Sequence, residues 1–236
     1  MLVAAAMCPC PPLLVPELAS GAAGELDEAR TACADALSVV AAARPDVLLA
    51  VGPVESAEEA GEYPAGSRGG FAAFGVDLGV ALGEGPGGPR PLPASLAVAG
   101  TLLERVSWST APAVGHGVFR EASGDECAAA GRELAACGER VALLVMGDGS
   151  ACRTLKAPGY LDERAADFDA ALARALGAAD AAALADLDAG LAADLLVSGR
   201  APWQVLAGAA SGADLGGELL YDNAPYGVGY FVAAWS

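Results

Sequence analysis

The residues best suited to chemistry fall in three short segments: Cys8-Pro9-Cys10-Pro11-Pro12, Gly147-Asp148-Gly149-Ser150-Ala151-Cys152 and Tyr221-Asp222-Asn223-Ala224-Pro225-Tyr226. Cys8 and Cys10 offer two thiols one residue apart, half of a zinc or copper site. The spaced second Cys/His pair is absent, so two free cysteines, one packed and one facing a pocket, are the simpler reading. The glycines around Asp148 and Ser150 could cradle an anion on backbone N–H groups. They lack the lysine and glycine spacing of a phosphate loop, and a tight turn after a strand accounts for them equally well. Ser150 could form a triad with His116, the sole histidine. The residues around Ser150 do not form a Gly-x-Ser-x-Gly elbow, and His116 lies in an apolar run that suits a core or rim imidazole. Asp222 and Asn223 suit a metal or a polar ligand, and equally a solvated turn.

These segments need strands to position them. Leu2 to Ala6 reads as a buried strand, and the prolines that follow hold the backbone extended. Glu25 to Ala43 has helical periodicity, with Leu26, Ala29, Cys33, Ala36, Leu37 and Val40 on one face. Val47 to Val51 is a second buried strand, so the opening reads as one βαβ unit with parallel strands. From Glu55 to Pro93 the pattern dissolves, and only Phe71 to Val80 looks strand-like. Pro93 to Val106 returns to helix, and Ala113 to Phe119 is a strand. Ser123 and Glu126 make a capping box for a helix that runs to about Cys137. Val141 to Met146 is a buried strand. Helices are expected over Asp162 to Leu176, in patches from Ala179 to Leu196, and over Pro202 to Ala210; a last strand spans Val228 to Ala234. In a parallel sheet, the three chemistry-bearing segments meet at one edge, where α/β folds build their sites.

The totals narrow the function. A chain of 236 residues without a dividing linker suits a single α/β domain. Thirteen basic against 30 acidic side chains give a net charge of −17, which argues against nucleic acid or an anionic membrane as partner. No apolar run is long enough for a membrane helix. The start lacks a basic leader region, so the chain is expected to be unprocessed and cytoplasmic, with its six cysteines as free thiols.

Together these segments resemble the class III extradiol ring-cleavage dioxygenases of the catalytic B-subunit-like superfamily, which also holds the Memo-like proteins. Pro9-Cys10-Pro11-Pro12, followed by Pro16-Glu17, is similar to a family opening of Pro-His-Pro-Pro and Pro-Glu. Leu49 to Val54 resembles a strand ending in Ser-Pro-His, and Asp77-Leu78-Gly79 resembles Asp-His-Gly. Gly147 to Ala151 is similar to Gly-Asp-x-Ser-His, and Tyr221 to Tyr230 to a terminal Tyr-Glu-x-Pro-Tyr-Gly-Val-Gly-Tyr. The resemblance implies a single domain over residues 1–236: a three-layer α/β/α fold with a mostly parallel central sheet. It also implies an Fe(II) site of two histidines and a glutamate, with further histidines for acid/base work. Here those histidine positions read Cys10, Val54, Leu78 and Ala151. The glutamate position falls at Asn223, with Asp222 one residue early.

A two-histidine iron site needs two imidazoles, and this chain has one histidine. The expectation is therefore an extradiol-dioxygenase-like protein without metal ligands, cofactor or ring cleavage. It would keep its pocket for a small molecule, or its surface for assembly with itself or a partner subunit. The pocket would include Cys8, Cys10, Ser150, Asp222, Asn223 and Tyr226. A second reading is an enzyme of altered chemistry, with Cys10 as nucleophile or soft-metal ligand, Asp148 or Asp222 as polar partner, and Ser150 as a further catalytic candidate. A reactive thiolate needs a nearby cation, for which Arg153 is the candidate. The third is a dioxygenase completed by an imidazole from a partner subunit.

Overall fold

The computed structural model describes residues 1–236. In chain order the elements are β1 (Leu2–Cys8), α1 (Pro16–Ala19), α2 (Asp27–Ala42), β2 (Val47–Val54), β3 (Gly61–Tyr63), β4 (Arg68–Gly70), β5 (Gly79–Ala81), α3 (Ala94–Arg105), β6 (Ala113–Phe119), α4 (Gly124–Ala135), β7 (Val141–Met146), α5 (Arg164–Gly177), α6 (Ala181–Ala185), α7 (Ala189–Asp194), α8 (Arg200–Ala209), β8 (Gly217–Asn223) and β9 (Tyr230–Trp235). Seven strands form one sheet in the order β3-β6-β2-β7-β1-β9-β8, and β4 pairs with β5 apart from it. The pairs β6–β2, β2–β7 and β7–β1 are parallel; β9 runs against β1 and against β8, and β3 runs against β6. Five strands thus share one direction. With helices on both faces, this is a three-layer α/β/α fold with a mostly parallel central sheet.

Side chains alternate across each strand. In β1, Ala4, Ala6 and Cys8 enter a core of 33 buried residues with α2 and α3, while Ala5 and Met7 enter one of 30 with α4 to α8. Two cores of similar size leave no wet face, which explains the continuous apolar runs of β1, β2 and β7. Acidic Asp27 and Glu28 favour the positive N-terminal end of α2. The expected capping box is present at α4: Ser123 N donates to Glu126 Oε2 at 2.8 Å, and Glu126 N donates to Ser123 Oγ at 3.3 Å. Helices α4 and α8 cross on paired glycines. A Cβ on Gly131 would lie 2.0 Å from Val205 O, and one on Gly208 would lie 2.3 Å from Ala128 O.

Two expectations need correction. β1 and β2 are parallel but not neighbours, because β7 lies between them. Phe71 to Val80 is not one strand: a 3-10 turn at Ala72–Phe74 ends on Gly75 at φ +83°, so only Gly79 and Val80 reach a strand, pairing with β4. That left-handed turn breaks the extended path. The segment before Tyr226, to which the sequence assigned no element, includes an edge strand, β8. The patches from Ala179 to Leu196 resolve into α6 and α7, each capped by an aspartate: Asp180 accepts from Ala183 N, and Asp188 from Leu191 N. No helix is long and apolar enough to cross a membrane.

Candidate functional site

The ends of β1 and β7, the end of β8 and the start of β9 share one edge, since Cys8 pairs with Met146 and Asn223 pairs with Tyr230. Backbone bonds sew their loops together. Gly147 N donates to Cys8 O at 3.0 Å, Gly149 N to Gly229 O at 2.7 Å, and Gly229 N to Ser150 O at 2.8 Å. The three segments singled out in the sequence therefore meet.

Asp148 lies at their junction. Its Oδ1 accepts from Cys10 N at 2.8 Å, and its own N–H donates to Ser198 Oγ at 2.9 Å. The residue is half-buried and keeps a partial opening to solvent. Burial pushes its pKa up to about 7, against the opposing pull of the Cys10 N–H. The opening matters, because it makes the proton exchangeable.

Cys10 is buried beside this carboxyl. Burial and the Asp148 charge push its thiol well above the ordinary range, opposed only by a hydrogen bond with Ser198. Arg153, the cation expected to activate it, is spent elsewhere: its Nη1 donates to Asp169 Oδ2 at 3.0 Å. Cys10 thus lacks the electropositive setting of a reactive thiolate. Tyr230 completes the cluster. Burial, then Asp148, Tyr226, Cys10 and Tyr221, raise its phenol above the usual tyrosine value.

The other expected pocket residues divide. Cys8 is not on a rim; it faces the core of α2, where a hydrogen bond with Cys33 and burial raise its thiol. Ser150 is not on a rim either. It is fully buried, its N–H donating to Asp169 Oδ1 at 2.9 Å and its hydroxyl to Oδ2 at 2.7 Å. Asp169 is itself buried and also holds Arg153, so Ser150 belongs to an internal polar brace. Asp222 is exposed; partial burial raises its carboxyl, Arg153 lowers it and Asp169 raises it. Asn223 is exposed and turns its Oδ1 onto Ala224 N at 2.8 Å, which is turn chemistry. Tyr226 is half-buried. Its hydroxyl is shut off from solvent and makes no well-formed hydrogen bond, although burial and the nearby Glu25 carboxylate raise its pKa.

His116 is elsewhere. It pairs with Val51 and Glu62 across the ladder, three strand positions from β1, or about 14 Å at normal strand spacing. Burial lowers its pKa, against Glu62 and Glu133. It lines a cavity of about 290 Å³ with Phe119 and Cys127. No triad with Ser150 forms. No three His, Cys, Asp or Glu side chains stand together as a metal cluster. The residues present do not fit an Fe(II) centre of two histidines and a carboxylate: Val54 and Ala151 are buried apolar side chains, and Asn223 is neutral.

Sequence reasoning missed Asp169, Ser198 and Tyr230 as members of the edge. Asp169 carried a signal, being an acidic residue on the apolar face made by Ala165, Leu172, Ala173 and Leu176. Ser198 carried none.

No protein-family model matches this chain. No curated protein matches it either. Among solved structures, it is similar to the crystal structure of an uncharacterized protein from Escherichia coli K12, with a TM-score of 0.54 and 13% identity over 99% of each chain. At that identity the likeness concerns the fold alone, and it extends over the whole chain.

Proposed function

We propose that this protein is a non-catalytic relative of the class III extradiol dioxygenases, working by binding or assembly rather than ring cleavage. The observation that carries this reading is the edge around Asp148. Three of the segments resembling the family's motifs meet there, those after β1, after β7 and around β8 and β9, but the side chains they bring are Cys10, Asp148 and Tyr230, with Ser198 joining from the loop before α8. The chain's one imidazole is three strands away. A carboxyl with a pKa of about 7 and some solvent access makes the edge a candidate for pH-dependent ligand binding.

The altered-chemistry reading receives less support. Cys10 sits beside a carboxylate, with its thiol raised and no cation in place. A thiol reagent should therefore react first at exposed Cys137, with Cys10 among the protected thiols. Preferential labelling of Cys10 in the folded protein would favour the enzyme instead.

The deciding experiment incubates the purified protein with Fe(II) and a catechol under oxygen and follows ring cleavage by absorbance, with parallel metal analysis. The expected result is no turnover and no stoichiometric iron. Ring cleavage with one bound iron per chain overturns the proposal.

A further inference from the structure

A cavity of about 540 Å³ lies at the opposite end of the sheet, between the β4–β5 ribbon and the end of α3. That is within the range of small-molecule sites. Its position follows from α3, whose first turn is held at the end of β2 by Ser95 Oγ donating to Pro53 O at 2.8 Å. The helix then runs back down the sheet, and its last turn supplies Leu103 and Glu104 to the cavity. Trp108 follows, with its indole fixed because Nε1 donates to Ala111 O at 2.8 Å. With the N–H occupied, a ligand meets the ring itself. Opposite, Gly79 opens the wall: a Cβ built there would meet only Gly69 O, at 3.9 Å.

The charges around the cavity define what it takes. Glu84 and Glu104 border it, both exposed and neither in an ion pair. Arg68 is the one cation on its border. The C-terminal end of α3 adds the negative pole of the helix dipole. The protein's net charge of −17 draws cations towards every such opening. An aromatic ring and unpaired carboxylates around an apolar floor are the elements of ammonium recognition.

We infer that this cavity is a binding site for a small organic ammonium ion with a flat apolar body, seated against Trp108 and Leu103 with its charge towards Glu84 and Glu104. The site is separate from the edge around Asp148, so it stands or falls independently of the iron experiment.

Trp203 and Trp235 are fully buried, so Trp108 is the one tryptophan that a ligand can reach. Titrating the whole protein with benzylamine, benzyl alcohol and benzoate, with tryptophan emission as readout and calorimetry as a second, compares three charges on one ring. Benzylamine should saturate, and the neutral and anionic probes should bind at least about tenfold more weakly. Replacing Glu84→Gln together with Glu104→Gln should weaken benzylamine by roughly tenfold. Gly79→Leu should weaken binding by narrowing the cavity. The two glutamates are exposed, so their variant decides the matter if the leucine variant fails to fold. Absence of saturation by benzylamine, equal binding of benzoate or benzyl alcohol, or an unchanged double variant overturns the inference.

Discussion

The backbone N–H of Cys10 donates to the Asp148 carboxyl at 2.8 Å, joining residues 138 positions apart in the chain. The bond pins the proline-rich loop after β1 to the loop after β7. It also holds a carboxyl in a crowded setting, where ionisation is costly.

That cost gives a pH test. The folded pKa of Asp148, about 7, stands above the ordinary value of 3.8. Between those values the folded protein holds a proton that the unfolded chain has lost, so this group's stabilisation is full at low pH and is lost as pH rises through about 7. The magnitude is on the order of 3 kcal/mol, reduced somewhat by the residue's partial solvent access. Asp148→Asn stays neutral, and its amide oxygen can still accept from Cys10. At pH 8 the variant should be more stable than wild type by on the order of 2 kcal/mol, with a flatter profile between pH 4 and 8. Urea unfolding across that range checks it; a variant less stable at pH 8 would contradict the buried-carboxyl account.

Asp169 should be the most sensitive polar residue of the same region. Two donors of Ser150 and one of Arg153 end on its buried carboxylate. Asp169→Ala strands those donors and should cost about 3 kcal/mol or more. Arg153→Ala should cost less, because the Arg153 side chain keeps 29% of its surface in solvent. Chemical denaturation of both variants gives the order, and a larger loss for Arg153→Ala would rule out the internal brace.

The crossing of α4 on α8 admits no side chain at Gly131. A Cβ there would sit 2.0 Å from Val205 O and 2.6 Å from Ala209 N, both backbone atoms that cannot rotate away. Gly131→Ala should therefore destabilise by about 3 kcal/mol or force the helices apart. Gly21→Ala, whose Cβ meets nothing within 4 Å, is the control and should melt close to wild type. Comparable thermal shifts for the two variants would disprove the tight crossing.

Some of this was legible locally. The runs Val47 to Val51 and Val141 to Met146 read as strands because a strand buried on both faces is apolar throughout. The face of Leu26, Cys33 and Leu37 read as a helix because period decides which side chains meet a core. Ser123 and Glu126 marked the start of α4 because a capping box acts within one turn. The stretch around Gly75 misled, since a left-handed turn leaves a weak periodic trace, and the edge strand before Tyr226 left too little pattern to be assigned.

The histidine count is a property of composition, so no folding can supply this chain with a second imidazole, and the iron-site mismatch was set by sequence alone. Strand order was not: β7 enters between β1 and β2 through contacts with both. That placement puts Asp148 against Cys10 and leaves His116 three strands away. Ser150 looked like a rim residue until Asp169, on a separate helix, took both its donors. Short-range patterns record period and burial, which each segment carries by itself. Which charge stands beside which thiol depends on segments more than a hundred residues apart, and only the packed sheet brings them together.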